Sequence, residues 1–334
     1  MFESTSAYET RAARATLAPP HVVRPRRRSR HEARRPELDA VIVGGGPAGL
    51  STALVLGRAR RQVLMLDTGK PANAVSNGVG GLLGQSDVLP ADLRHAGREQ
   101  LAEYPTVEVA FGEVTAVERL ADGSFEVSIE DEAPVRTRSI VLAHGLRYDP
   151  PPLPGIEDLW GSSVFHCPFC DGWEVRDRRL AIHGNGAAAA RSALVVSGWS
   201  RDVVLCTDGP AQLEGERAAL EAAGVRIREE PLARLVGSDG ELQRIEFASG
   251  PAEEREALFV RTRRGQPNGL AEALGCELTD EGTIVTDGEG RTGVAGVYAA
   301  GDAATERLRS VANALGTGSR VAYSVALDLV PELV

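Results

Sequence analysis

Cysteine is scarce, with four in 334 residues. A chain this long buries a core without covalent staples, so a disulfide-framework secreted fold is not expected. Long apolar runs are missing too. None approaches the ~20 residues that cross a bilayer, which speaks against a membrane protein. The arginines near the start precede no apolar stretch, as an export signal would require, and a cytoplasmic setting is expected. Positive charge is short outside one segment. Residues 1–36 carry nine arginines against three glutamates, while the whole chain stands at −10. The acidic body that remains is a poor partner for nucleic acid. The basic segment has no apolar period and reads as a disordered extension over residues 1–37.

What remains is 43% hydrophobic and 25% charged, with 37 glycines. This is the composition of a globular α/β chain of about two domains. Residues 38–69, LDAVIVGGGPAGLSTALVLGRARRQVLMLDTG, read as strand, glycine turn, helix and strand. Gly44 permits the tight turn, Gly46 lets the backbone approach a pyrophosphate, and Gly49 lets the helix pack close to the strand. The helix N-terminus faces the phosphate charge. Asp67 ends the second strand, where a carboxylate can accept ribose hydroxyls.

The pattern repeats over residues 180–209, LAIHGNGAAAARSALVVSGWSRDVVLCTDG. Gly184, Gly186 and Ala189 hold the three fingerprint positions. The place equivalent to Asp67 falls to Thr207, with Asp208 one step later. Two such units imply two dinucleotide sites, or one site and a vestige whose alanines no longer shape a pocket.

Between the units stands FHCPFCDGWE, residues 165–174. Cys167 and Cys170 have two residues between them, with His166 directly before the pair and Asp171 directly after. A structural zinc site usually needs a second ligand pair, which the sequence lacks, so a redox pair is the preferred reading and no metal is assigned. Cys206 and Cys276 stand alone and read as small buried hydrophobes. Near the end, GVYAAGDAAT at residues 296–305 brings a strand to Gly301-Asp302, where a carboxylate can hold a sugar-like chain.

Taken in order, GGGPAGL, CPFCDG, GNGAAA and GVYAAGD resemble the low-molecular-weight thioredoxin reductase family. The likeness is to its thioredoxin-reductase-like branch, which includes dithiol oxidases of gliotoxin- and holomycin-type natural products. The resemblance covers residues 38–334. It implies an FAD domain made of residues 38–155 and 286–334, with a pyridine-nucleotide domain at 156–285 inserted and carrying the CxxC pair. It implies FAD, NADH or NADPH, and a homodimer. Cys170 would be the flavin-side thiolate and Cys167 the thiol that meets substrate. Asp171 would be the general acid, and His166 would deprotonate or stabilise a substrate thiolate.

The sequence departs from the family at several points. The arginines that grip a 2′-phosphate are replaced by Cys206-Thr207-Asp208-Gly209, which favours NADH or weak binding of either nucleotide. The usual Ala-Thr-Gly turn appears as Ala143-His144-Gly145, which reads as a tolerated substitution in preference to a histidine that touches the flavin or the domain hinge. The segment 76–85 falls where the family lays backbone over the flavin. Two directions of flow fit. A reductase would move electrons from NAD(P)H through FAD to a thioredoxin-like protein. An oxidase would take them from a small dithiol and pass them to oxygen or NAD(P)⁺. A flavin-bound redox sensor without turnover is a third reading, of a different class.

Overall fold

A computed structural model describes residues 37–85, 88–304 and 308–331. The expected basic extension lies, but for Glu37, outside them.

The chain starts with β1 (Ala40–Val43), four apolar residues buried on both faces. Gly46 and Pro47 then open α1 (Pro47–Arg58); proline suits this position because the first amides of a helix have no internal partner. Next come β2 (Val63–Asp67), α2 (Pro90–Leu101) and β3 (Val107–Phe111). An antiparallel meander follows, of β4 (Val114–Arg119), β5 (Phe125–Ile129) and β6 (Val135–Thr137). β7 (Ile140–Leu142) returns beside β1.

The short strand β8 (Arg147–Asp149) leads out of this sheet. Then come β9 (Val164–Phe165) and the one-turn helix α3 (Pro168–Asp171). A second strand–helix–strand unit is built of β10 (Leu180–His183), α4 (Gly186–Val196) and β11 (Val203–Cys206). It continues through α5 (Arg217–Ala222) and β12 (Arg226–Arg228). A second meander contains β13 (Leu232–Ser238), β14 (Glu241–Phe247) and β15 (Glu253–Glu254), and β16 (Ala257–Val260) completes the sheet.

β17 (Arg263–Gly265) pairs antiparallel with β8 and carries the chain back. α6 (Leu270–Ala273), β18 (Val297–Ala299), a 3-10 turn at Gly301–Ala303 and α7 (Val311–Asp328) finish the fold.

Two five-stranded parallel sheets result, ordered β18-β7-β1-β2-β3 and β12-β11-β10-β16-β9. In each, the strand that carries a fingerprint has its next strand on one side and a later one on the other. The strand order therefore reverses at the glycine turn, where open α/β sheets bind ligands. This is the expected α/β architecture with two Rossmann-like units. Leu270, Ala271, Cys276 and Ile284 pack with Leu64, Phe125 and Ile140 under the first sheet. Residues from Leu270 onward thus share the layer under the first sheet.

The far end of the chain clamps the first fingerprint helix. An ideal Cβ on Gly318 of α7 would lie 2.2 Å from the Ala48 carbonyl oxygen of α1. Thr52 Oγ1 sits 3.0 Å from the Gly318 carbonyl. Only a glycine lets the two helix backbones approach this closely. Gly49 serves the same end within the turn, since a Cβ there would meet the Gly44 carbonyl oxygen at 1.9 Å.

Candidate active site

The Cys167–Cys170 disulfide closes across α3, with Cα atoms 5.3 Å apart. That spacing falls in the ordinary disulfide range. Extended Cys167 caps the helix, Pro168 starts it, and the amides of Cys170 and Asp171 both donate to the Cys167 carbonyl. Gly172 ends the turn, because a Cβ there would collide with the Pro168 carbonyl and the Trp199 ring. Phe169, between the cysteines, is 79% exposed and meets Trp199 edge-on at 5.5 Å. The pair also touches the first unit. A Cβ on Gly80 would stand 3.3 Å from the Cys170 carbonyl oxygen, and one on Gly161 would strike Val75. Cys170 therefore lies on the side of segment 76–85.

Burial, helped by the Glu174 carboxylate, pushes Asp171 up to about 7. A group with that pKa is a competent proton carrier near neutral pH. His166 behaves differently. Its ring stacks on Tyr148 at 4.8 Å and lies 5.9 Å from Trp160, and the residue is exposed. The surrounding protein, then Arg264 and Arg309, push it down to about 4. It is neutral at pH 7 and a weak base. Tyr148 donates to Asp302 Oδ2 at 2.8 Å, so the residue before the CxxC pair is coupled through one aromatic ring to the Gly301-Asp302 turn. Burial raises the pKa of Asp302, opposed by the Tyr148 hydrogen bond. Tyr148 escaped the sequence reading; its only signal is an aromatic in a three-residue strand.

The first fingerprint fits a dinucleotide. No side chain caps α1 at Gly46, and a Cβ at Gly46 would meet nothing within 4 Å, so the helix amides stay open to a phosphate. Gly44 takes φ +113°. Asp67 Oδ1 accepts from the Gly69 amide at 2.9 Å, whereas Oδ2 is buried with no hydrogen-bond partner. Its nearest cation, Arg98 Nη1, stands 3.7 Å away. A buried acceptor without a donor, at the tip of β2, suits a ribose hydroxyl.

The second fingerprint is self-satisfied. Gly184 and Gly186 take φ +149° and +75°, and Ala189 packs in the core. Between them, Asn185 Oδ1 accepts from the amides of Gly186 and Gln212, and Nδ2 donates to the carbonyls of Thr207 and Pro210. One side chain thus straps residues 207–212 across the start of α4. The Thr207 hydroxyl lies against the carbonyls of Gly209 and Arg228, at 2.7 and 3.2 Å. Asp208 accepts from the Leu232 amide and stands 3.6 Å from His183 Nε2. Sequence reading named the glycines and alanine of this turn but not Asn185. Cys206 and Cys276 are both buried free thiols, as expected. No group of three or more potential metal ligands occurs among the described residues, and no helix among them is long and apolar enough to cross a membrane.

Two parallel sheets with glycine turns at their switch points and a CxxC disulfide between them define a dinucleotide-linked disulfide oxidoreductase. The chain belongs to the pyridine nucleotide-disulphide oxidoreductase family, whose profile matches residues 38–318. It is an oxidoreductase acting on sulfur groups, in a family that couples flavin and pyridine nucleotide to a disulfide. It is 30% identical to the thioredoxin reductase tcpT of Claviceps purpurea, over 89% of this chain and 95% of that protein. Among solved structures, HlmI shares 38% identity with a TM-score of 0.83, over 88% of this chain and 92% of its own. A putative thioredoxin reductase TrxB from Bacillus anthracis shares 31% identity, also at 0.83, over 87% and 98%.

Proposed function

We propose that this protein is an FAD-dependent thiol–disulfide oxidoreductase that works as an oxidase of small dithiols, with Cys167 and Cys170 as its working disulfide. The carrying observation is the contrast between the two fingerprints. The first has no side-chain cap on α1 and leaves Asp67 Oδ2 without a hydrogen-bond partner; the second spends its cap and its loop on Asn185. Electrons then enter more readily from a thiol than from a nicotinamide. Gly44, Gly46, Gly49, Asp67, Gly301 and Asp302 hold FAD in this reading. Gly184, Gly186, Ala189, Thr207 and Asp208 form a weak nicotinamide site in which Asp208 disfavours a 2′-phosphate. The flavin unit comprises the first sheet and its returning segment after β17, with the nucleotide unit inserted between β8 and β17.

In the proposed cycle, a substrate thiolate attacks Cys167 Sγ. The Cys167–Cys170 bond breaks and Cys170 leaves as a thiolate. The substrate's second thiolate then attacks its own sulfur held on Cys167, releasing the cyclic disulfide and leaving both cysteines reduced. Asp171, poised near neutrality, accepts one of the two protons that the substrate loses, and the other passes to solvent. His166, uncharged, directly precedes the attacked Cys167 in the chain and stacks on Tyr148. Bound FAD would supply the two-electron acceptor that restores the disulfide, and dioxygen would take those electrons as hydrogen peroxide. Overall, one dithiol and one dioxygen give one disulfide and one peroxide.

The titratable Asp171, and the name of the Claviceps relative, support a second reading, in which NAD(P)H reduces a thioredoxin-like protein. Anaerobic mixing separates the two. A small dithiol should bleach the flavin, with peroxide appearing on admission of air. Fast bleaching by NADH or NADPH, with none by the dithiol, sinks the oxidase reading. Absence of turnover by the wild-type holoprotein with either donor would support a sensor instead. The homodimer comes with the family resemblance and the cytoplasmic setting with the cofactor requirement, and sedimentation and cell fractionation test them.

A further inference from the structure

Five buried side-chain atoms among the described residues lack a hydrogen-bond partner. Two of them, Asp67 Oδ2 and His144 Nδ1, sit at the C-terminal edge of the same sheet. β2 and β7 flank β1, so these atoms stand on either side of the first glycine turn. His144 directly adjoins that turn, since a Cβ on Gly44 would lie 2.8 Å from the His144 Cα.

The hydrogen bonds fix the ring's chemistry. Gln266 Nε2 donates to the carbonyls of Gly282 and Ala303, at 2.7 and 3.3 Å. Both partners are acceptors, so the amide has one orientation and its Oε1 faces His144 Nε2 at 2.7 Å. Oε1 cannot donate, and Nε2 must carry the proton. Burial lowers the pKa of the ring, which keeps it neutral. Nδ1 is therefore a bare lone pair, buried and without a donor.

β7 lies between β1, which carries the phosphate turn, and β18, which leads to Asp302. A dinucleotide with its pyrophosphate on the turn and its polyol at Asp302 must pass this edge. The pyrophosphate has no proton to give, while the polyol has hydroxyls. We infer that His144 is a cofactor-holding residue, its Nδ1 accepting a hydrogen bond from a hydroxyl of the FAD polyol chain while Nε2 is held by Gln266. His144 thus links the fingerprint turn to the loop that presents Asp302, a role the tolerated-substitution reading did not give it. The inference rests on the flavin reading above.

Two substitutions separate the ring's edges. His144→Asn keeps an acceptor near the Nδ1 position and gives up Gln266; His144→Gln keeps a donor for Gln266 and gives up Nδ1. Flavin loss from the purified holoprotein on dilution is followed by recovery of FAD fluorescence. His144→Gln should release FAD about 3- to 10-fold faster, the equivalent of one neutral hydrogen bond, and His144→Asn should stay close to wild type. Equal release by wild type and His144→Gln, or equally fast release by both variants, overturns the assignment. Wild-type protein that binds no flavin at all refutes the flavin reading itself, a separate outcome. If a variant fails to fold, ¹⁵N spectra of the histidine-labelled wild-type holoprotein decide. A protonated Nε2 with a hydrogen-bonded, unprotonated Nδ1 is expected, and the opposite tautomer overturns the inference.

Discussion

Asn185 holds Gln212 in place, its Oδ1 accepting the Gln212 amide at 2.8 Å while the same oxygen caps Gly186 at 2.9 Å. The amide that would greet a phosphate is thereby occupied from within. The matching position of the first unit is Gly45, which has no side chain to do this. Both turns obey the glycine pattern, and this one residue decides how differently they behave.

Asn185→Gly should reopen the turn. Glycine at this position loses only a few tenths of a kcal/mol of capping, so the fold should persist. NADH should then bind about 3- to 10-fold tighter, as expected when one competing hydrogen bond is removed. Fluorescence titration of the nicotinamide reads this directly. Unchanged affinity would show that the strap does not limit access.

The pH profile should bear the mark of Asp171. Its folded pKa of about 7 lies above the ordinary value of 3.8, so it is protonated below neutrality and a carboxylate above. Dithiol oxidation needs the carboxylate form to take a proton, and kcat should rise through about pH 7 to a plateau. Asp171→Asn should flatten that limb and lower kcat by about 100-fold, the scale of a lost acid–base group. A limb near pH 4 would point to His166 instead.

Gly318→Ala tests the helix clamp. In an open helix this exchange stabilises by about 1 kcal/mol. Here the added carbon would lie 2.2 Å from a backbone oxygen. Forced repacking of this kind costs about 1–3 kcal/mol, and backbone cannot rotate aside as a side chain can. The clash should win, with a lower denaturation midpoint and faster flavin loss. A midpoint at or above wild type would mean that the helices separate freely.

The sequence made the repeated strand–glycine–helix units legible because the signals are local: apolar runs, a turn, a terminal carboxylate. The CxxC pair was legible for the same reason, its two sulfurs being only three residues apart. The return of residues 270–284 to the first core was not, since α6 has four residues and shows no period. Nor was the Tyr148–Asp302 hydrogen bond, whose partners are 154 residues apart. Asn185 was in plain view between two glycines, yet its effect depends on a loop that local pattern cannot position. Asp208, one step past the place equivalent to Asp67, accepts from the Leu232 amide 24 residues further on, a contact that local pattern does not reveal.

The clamp between α1 and α7 also bears on biosynthesis. Every strand of the second sheet leaves the ribosome before β18 and α7 do. Ala48, Ala53 and Leu56 of α1 share one core with Ala314, Val321 and Val325 of α7, so the first unit keeps an uncovered apolar flank until the last helix is released. N-terminal units ordinarily fold first during synthesis. In this chain the unit built around β10 can close ahead of the one built around β1. In the flavin reading, the first glycine turn is completed as a site only once the Asp302 turn and α7 have been made.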